Sequence, residues 1–67
     1  MLVTAVLTPD EGGFVAFNPE TGTTTQGDTF EQALANLREA VELYLEDMPL
    51  TQSGPAIVTS IDVREHA

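Results

Sequence analysis

The feature that most constrains this chain is a helical stripe that opens on a cap and closes on a proline. Thr29-Phe30-Glu31-Gln32 has the spacing of a capping box. In that device the Thr29 hydroxyl accepts from the Gln32 N–H, and the Gln32 side chain returns to the Thr29 N–H. Asp28 is the cap in a register shifted by one residue. Downstream, Phe30, Leu34, Leu37, Val41, Tyr44, Leu45 and Met48 recur at helical spacing, so one apolar face should lie on a sheet. Pro49 lacks an N–H and pushes the residue before it out of the α region, which ends the helix. The spacing predicts a helix from residue 29 to 46 or 47.

The sheet that this helix needs is legible on both sides of it. Residues 2–7 alternate two largely apolar sets, Leu2/Thr4/Val6 and Val3/Ala5/Leu7, which predicts a first strand with apolar groups on both faces. Residues 8–13 supply Pro9, Asp10, Gly12 and Gly13 and read as a hairpin loop. A second strand follows over residues 14–18, with Phe14 and Ala16 opposed to Val15 and Phe17. Asn18-Pro19-Glu20-Thr21-Gly22 is a turn, because Pro19 cannot sit inside a central ladder and Gly22 accepts a turn conformation. Residues 23–26 read as a short third strand that Gly27-Asp28 ends. Beyond the helix, residues 50–55 have loop composition. Residues 56–63 read as a final strand, with Ile57/Thr59/Ile61/Val63 opposed to Ala56/Val58/Ser60/Asp62, and residues 64–67 as a frayed tail. The expected architecture is α+β: a single domain over residues 1–67, β-β-β-α-β, with an antiparallel sheet and one long helix on one face. Residues 12–40 organise it, because they hold the second strand, the Gly/Pro/Thr-rich connection and the start of the helix.

Size and charge narrow the function. A 67-residue chain buries only about 60% of its unfolded surface, and without cysteine it has no disulfide or thiolate metal site to stiffen it. Homo-oligomerisation is the expected remedy. Eleven acidic residues face Arg38 and Arg64 alone, a formal charge of -9 with no lysine. That balance argues against direct nucleic-acid binding, which needs clustered cations, and suits a basic protein partner. No apolar run reaches the roughly 20 residues of a membrane span, and residues 1–13 lack a basic signal-peptide region. A cytoplasmic protein is expected.

Two helix features exceed simple burial. Glu31, Glu39, Glu42 and Glu46 line the outer face, where a basic partner would relieve their mutual repulsion and where a solvated face is the plain alternative. Leu43 lies off the apolar stripe, near the angular position of Asn36, Ala40 and Asp47. It reads either as a contact with a partner or second subunit or as an ordinary exposed leucine.

The chemistry-bearing residues form no catalytic pattern. His66 is the one histidine, and Ser53 and Ser60 stand outside any Gly-x-Ser-x-Gly elbow. Asp10, Glu11, Glu20 and Asp28 fall in loops, with no spacing that demands a metal pair, and the glycines match no phosphate-cradling motif. Neither a catalytic residue, a cofactor nor a metal is expected; a residual metal-dependent nuclease using Asp28 and Glu20 is the weakest reading.

The middle of the chain resembles the N-terminal domain of HicB-like antitoxins, the partners of HicA toxins. The matching residues are Gly12 or Gly13, Phe14, Val15, Ala16, Pro19, Glu20, Gly22, Thr25, Gly27, Asp28, Thr29, Ala33, Leu34, Asn36, Glu39 and Ala40. Gly13, Pro19, Gly22, Gly27, Asp28 and Thr29 serve as the structural part of that motif. The chain departs from the family at the turn, where Pro19-Glu20-Thr21-Gly22-Thr23 is one residue shorter and lacks a cysteine. Many family members continue into a DNA-binding domain, so operator binding is not carried over. The resemblance implies a partial ribonuclease-H-like fold without working catalytic carboxylates. It also implies a function: neutralising a small basic RNA-cleaving toxin by covering its RNA-binding and catalytic surface. Glu31, Glu39, Glu42, Leu43 and Glu46 are the expected partner-binding residues. A homo-oligomeric scaffold of the same fold with no toxin partner is the alternative.

Overall fold

The computed structural model describes residues 1–51 and 54–65. Three antiparallel strands, β1 (Val6–Asp10), β2 (Gly13–Asn18) and β3 (Thr23–Gly27), form a sheet in chain order, and one helix, α1 (Phe30–Asp47), packs mainly on β3 and β2. The α+β class and the β-β-β-α order are those the sequence predicts.

The helix forms for the reasons read from its ends. Thr29 is the cap, its Oγ1 accepting the Gln32 N–H at 3.1 Å. The return bond differs by one residue, since Gln32 Oε1 accepts the Asp28 N–H at 2.8 Å rather than that of Thr29. Met48 closes the last turn onto the Tyr44 carbonyl, and Pro49 follows. The stripe is narrower than its spacing suggests. Ala33, Leu37 and Val41 are buried with Ala16, and Val3, Leu7, Phe14 and Leu45 pack around them. Phe30 sits at the rim, edge-on to Phe14 with ring centroids 5.9 Å apart.

The first hairpin corrects the sequence reading. β1 runs over Val6–Asp10 rather than residues 2–7, and Pro9 and Asp10 belong to the strand rather than to a loop. The turn is Glu11-Gly12, with Asp10 opposite Gly13. Both turn residues have positive φ, 48° and 82°, the geometry that lets a two-residue turn follow the strand twist. Pro9 is tolerated because β1 is an edge strand. On the sheet face away from the helix, Val6 and Val15 are half-buried and Phe17 is exposed, so the apolar residues read on both faces are covered on one face only.

Gly27 has a steric role beyond ending β3. A Cβ there would collide with the Ala33 backbone nitrogen and lie 2.8 Å from Ala33 Cα. The helix therefore docks against bare backbone at that point. Thr25 Oγ1 donating to the Ala33 carbonyl and Asn36 Nδ2 donating to the Gln26 carbonyl hold it there.

Residues 56–63 are the second correction. They were expected to pair as a final strand, but they form no ladder with β1, β2 or β3. Residues 54–65 are exposed throughout, Ile57 at 93% and Ile61 at 81%. A strand exists only where an edge receives it, and here the segment leaves the body of the molecule. The radius of gyration, 13.9 Å, exceeds the roughly 11 Å of a compact chain this long.

Candidate functional site

Three features are the candidates for a functional site: a buried polar node, the outer face of α1, and a cleft beside the helix.

The node is built on the β2–β3 turn. Asn18 is the largest fully buried side chain among the described residues. Its amide nitrogen donates to the Thr4 carbonyl and to Glu20 Oε1, both at 2.7 Å. Its Oδ1 accepts the Thr21 N–H at 2.9 Å and the Thr21 hydroxyl at 2.6 Å. Both amide protons and both carbonyl lone pairs are thereby used. Gly22, at φ 78°, returns its N–H to the Asn18 carbonyl and closes the turn.

Glu20 ties together segments that are distant in sequence. Its Oε1 accepts the Thr4 N–H at 2.7 Å in addition to the Asn18 amide. Its Oε2 accepts the Thr4 hydroxyl at 2.8 Å and the Ala56 N–H at 2.6 Å. The same Thr4 hydroxyl lies 3.2 Å from the Ala56 carbonyl. The backbone N–H of Thr4 is the main cause holding the carboxyl at about 2, below its ordinary 4.5; burial opposes this, and the Ala56 N–H, Thr4 hydroxyl and Asn18 amide add to it. At neutral pH Glu20 is an ionised clamp whose acceptor positions are filled. It has neither a proton to transfer nor an oxygen free for a metal.

The reading that paired Glu20 with Asp28 fails on geometry. They flank opposite ends of β3, and five strand residues at about 3.3 Å each separate them by roughly 16 Å. Among the described residues no cluster of three His, Cys, Asp or Glu is placed to hold a metal. Ser53 and His66 lie outside the described residues. Ser60 lies in the exposed 54–65 segment.

The motif residues are structural in this geometry. Gly13 lies against the Gly27 carbonyl, 2.6 Å from where a Cβ would sit, and Pro19 leads the turn half-buried. Thr29 caps the helix and Asp28 lends its N–H to Gln32, so of the two alternative caps Thr29 is the one used.

Glu31, Glu39, Glu42, Leu43 and Glu46 are all in solvent on α1, with Leu43 58% exposed. They divide into two groups. Glu31 and Glu42, with Arg38, border a cleft of about 780 Å³ between residues 1–5 and α1. Leu2, Val3, Leu34, Val41 and Leu45 give that cleft a mainly apolar lining. Glu39, Leu43 and Glu46 do not line it. The cleft and the node escaped sequence reasoning because both join segments far apart in the chain. Asn-Pro-Glu in a turn signals the turn, not its long-range partners.

The sequence profile of a family described as "Family of unknown function (DUF7387)" matches residues 4–64. The chain belongs to this family. A UPF0150 protein of Helicobacter pylori is 49% identical over 49 residues, covering 72% of this chain and 68% of that protein. One from Thermoplasma acidophilum is 38% identical over 50 residues, covering 72% of each. A third, from a Synechocystis species, is 51% identical over 39 residues, and the aligned part spans about half its length, 49%. No solved structure matches the chain. Among the described residues no helix is long and apolar enough to cross a membrane.

Proposed function

We propose that this chain is a HicB-like, antitoxin-type binding protein that neutralises a small basic RNA-cleaving toxin in the cytoplasm by covering its RNA-binding and catalytic surface. The observation that carries the reading is the exposed acidic face of α1, with Glu31, Glu39, Glu42 and Glu46 in solvent on a chain of net charge -9. Such a face competes for the cationic surface that RNA would occupy, and long-range attraction speeds the encounter. The order and spacing of the motif from Gly12 to Ala40 support it, since they resemble the HicB-like pattern. Binding rather than catalysis fits a Glu20 whose oxygens are saturated by internal donors. Leu43, beside the acidic face, supplies an apolar contact within a charged surface.

The test is to mix the chain with the protein encoded by the adjacent reading frame and follow the pair by size-exclusion chromatography and RNA-cleavage assay. A co-eluting complex with cleavage suppressed is expected. A neighbour that neither binds nor cleaves RNA contradicts the reading.

A second reading, a homo-oligomeric scaffold with no toxin partner, is favoured by one specific observation: the exposed apolar residues of segment 54–65.

A further inference from the structure

We propose that residues 56–65 are an exchange arm. In a two-fold dimer, the arm of each chain adds to the open edge of β1 and residues 1–5 of a second copy, and sets its apolar side chains into that copy's cleft.

The chain carries both halves of the junction. The arm places Ile57, Ile61 and Val63 at strand spacing, exposed by 93%, 81% and 64%. The cleft presents Leu2, Val3, Leu34, Val41 and Leu45 and stands open. Beside it β1 has one neighbour in the sheet, β2. Among the described residues, 1–5 make no backbone-to-backbone hydrogen bonds; the Thr4 N–H and carbonyl are taken by the Glu20 and Asn18 side chains, and the backbone groups on either side of Thr4 are left for an added strand. Edge and cleft thus offer a ladder and an apolar seat at one place.

The occupant is a second copy rather than the arm's own chain because of how the arm is held. Glu20 and Thr4 grip the Ala56 N–H and carbonyl beside Thr4, itself a lining residue of the cleft, yet the arm passes the cleft by. Gly54, at φ 86°, and Pro55 form the bend that precedes this fixed exit. Nine extended residues beyond Ala56 reach about 30 Å, far enough to cross to a neighbour. A reciprocal exchange is isologous, with each chain giving one arm and receiving one, so the assembly closes at two.

Each junction sets the arm's Asp62, Arg64 and Glu65 beside the cleft's Glu31, Arg38 and Glu42, so apolar burial rather than charge holds the exchanged arm, and the dimer should tolerate salt. Of the acidic helix face, Glu31 and Glu42 border this seat, while Glu39 and Glu46 lie outside it.

The test uses the full chain, which lacks cysteine. In the variant Leu34→Cys/Ile61→Cys, mild oxidation is expected to give a disulfide-linked dimer on a non-reducing gel. An internal crosslink at the single-chain mass, or thiols that stay free, overturns the exchange. Light scattering of the unmodified chain is expected to give twice its 7.2 kDa mass, and 7.2 kDa across micromolar concentrations overturns it. Ile61→Asp, at a position that is solvent-exposed in the single chain, is expected to halve the mass with the helical circular dichroism kept. An unchanged dimer contradicts the proposed seat. Toxin binding enters none of these readouts, so their failure is separate from failure of the antitoxin reading.

Discussion

The outer face of α1 holds Glu31, Glu39, Glu42 and Glu46 in solvent, whereas the 56–65 arm holds Ile57, Val58, Ile61 and Val63 there. Ionised carboxylates are well solvated, so the helix face is stable as it stands and any partner it takes is optional. Exposed aliphatic side chains instead forgo about 25 cal/mol for every Å² left in water, which favours permanent cover for the arm. The difference predicts two modes of association on one small domain: a salt-sensitive contact on the helix and a salt-tolerant one through the arm.

The two surfaces also rest on different supports. α1 is held by its caps, by Thr25 and Asn36, and by the close approach at Gly27. The arm is held at Ala56 by the Asn18–Glu20 node. A substitution in the node should therefore separate them. Asn18→Ala removes one buried and three partly buried hydrogen bonds and strands their partners, with an expected loss of about 2–4 kcal/mol in urea unfolding. In molecules that remain folded, self-association should weaken while binding through the helix face persists. Equal weakening of both would mean that the surfaces are coupled.

A smaller effect separates them by pH. Glu20 titrates at about 2 in the folded chain against an ordinary 4.5, so between those values the unfolded chain holds more protons. Its contribution is complete above about pH 4.5 and is lost as pH falls toward 2. Glu20→Gln should lower the Tm by several degrees at pH 7, and the gap from the unmodified chain should close over that window. A gap that stays constant down to pH 2 would show that the carboxylate's charge is immaterial. The least effect is expected from Leu43→Ala. Exposed as it is, its removal should leave stability within about 0.5 kcal/mol and weaken a helix-face partner by about fivefold, roughly 1 kcal/mol. No change in titration calorimetry would make Leu43 a plain surface leucine.

What the sequence disclosed tracks how local each cause is. Thr29, Gln32 and Pro49 act within one helical turn, and the helix lies where they place it. The limits of β1 were misplaced because a glutamate, Glu11, takes the positive φ that makes a two-residue turn; Pro9, Asp10 and Gly13 suggested a longer loop. Gly27 was legible as a strand end, while its steric role depends on Ala33, six residues away. The node joins Thr4, Asn18, Glu20 and Ala56, and turn chemistry alone gave no hint of it. Residues 56–63 have a strand's alternation, but alternation specifies a face and not an edge to pair with, and within one chain they found none.

The central claim, that the acidic helix face captures a basic RNA-cleaving protein, is tested most directly by titrating the adjacent-frame protein with this chain and with Glu39→Lys/Glu46→Lys. Neither position lines the cleft, so the arm's seat is left intact. The account predicts a complex whose affinity falls as salt rises and drops at least tenfold, about 1.4 kcal/mol, in the charge-reversed variant. Equal affinity for both chains, or no complex with either, would contradict it.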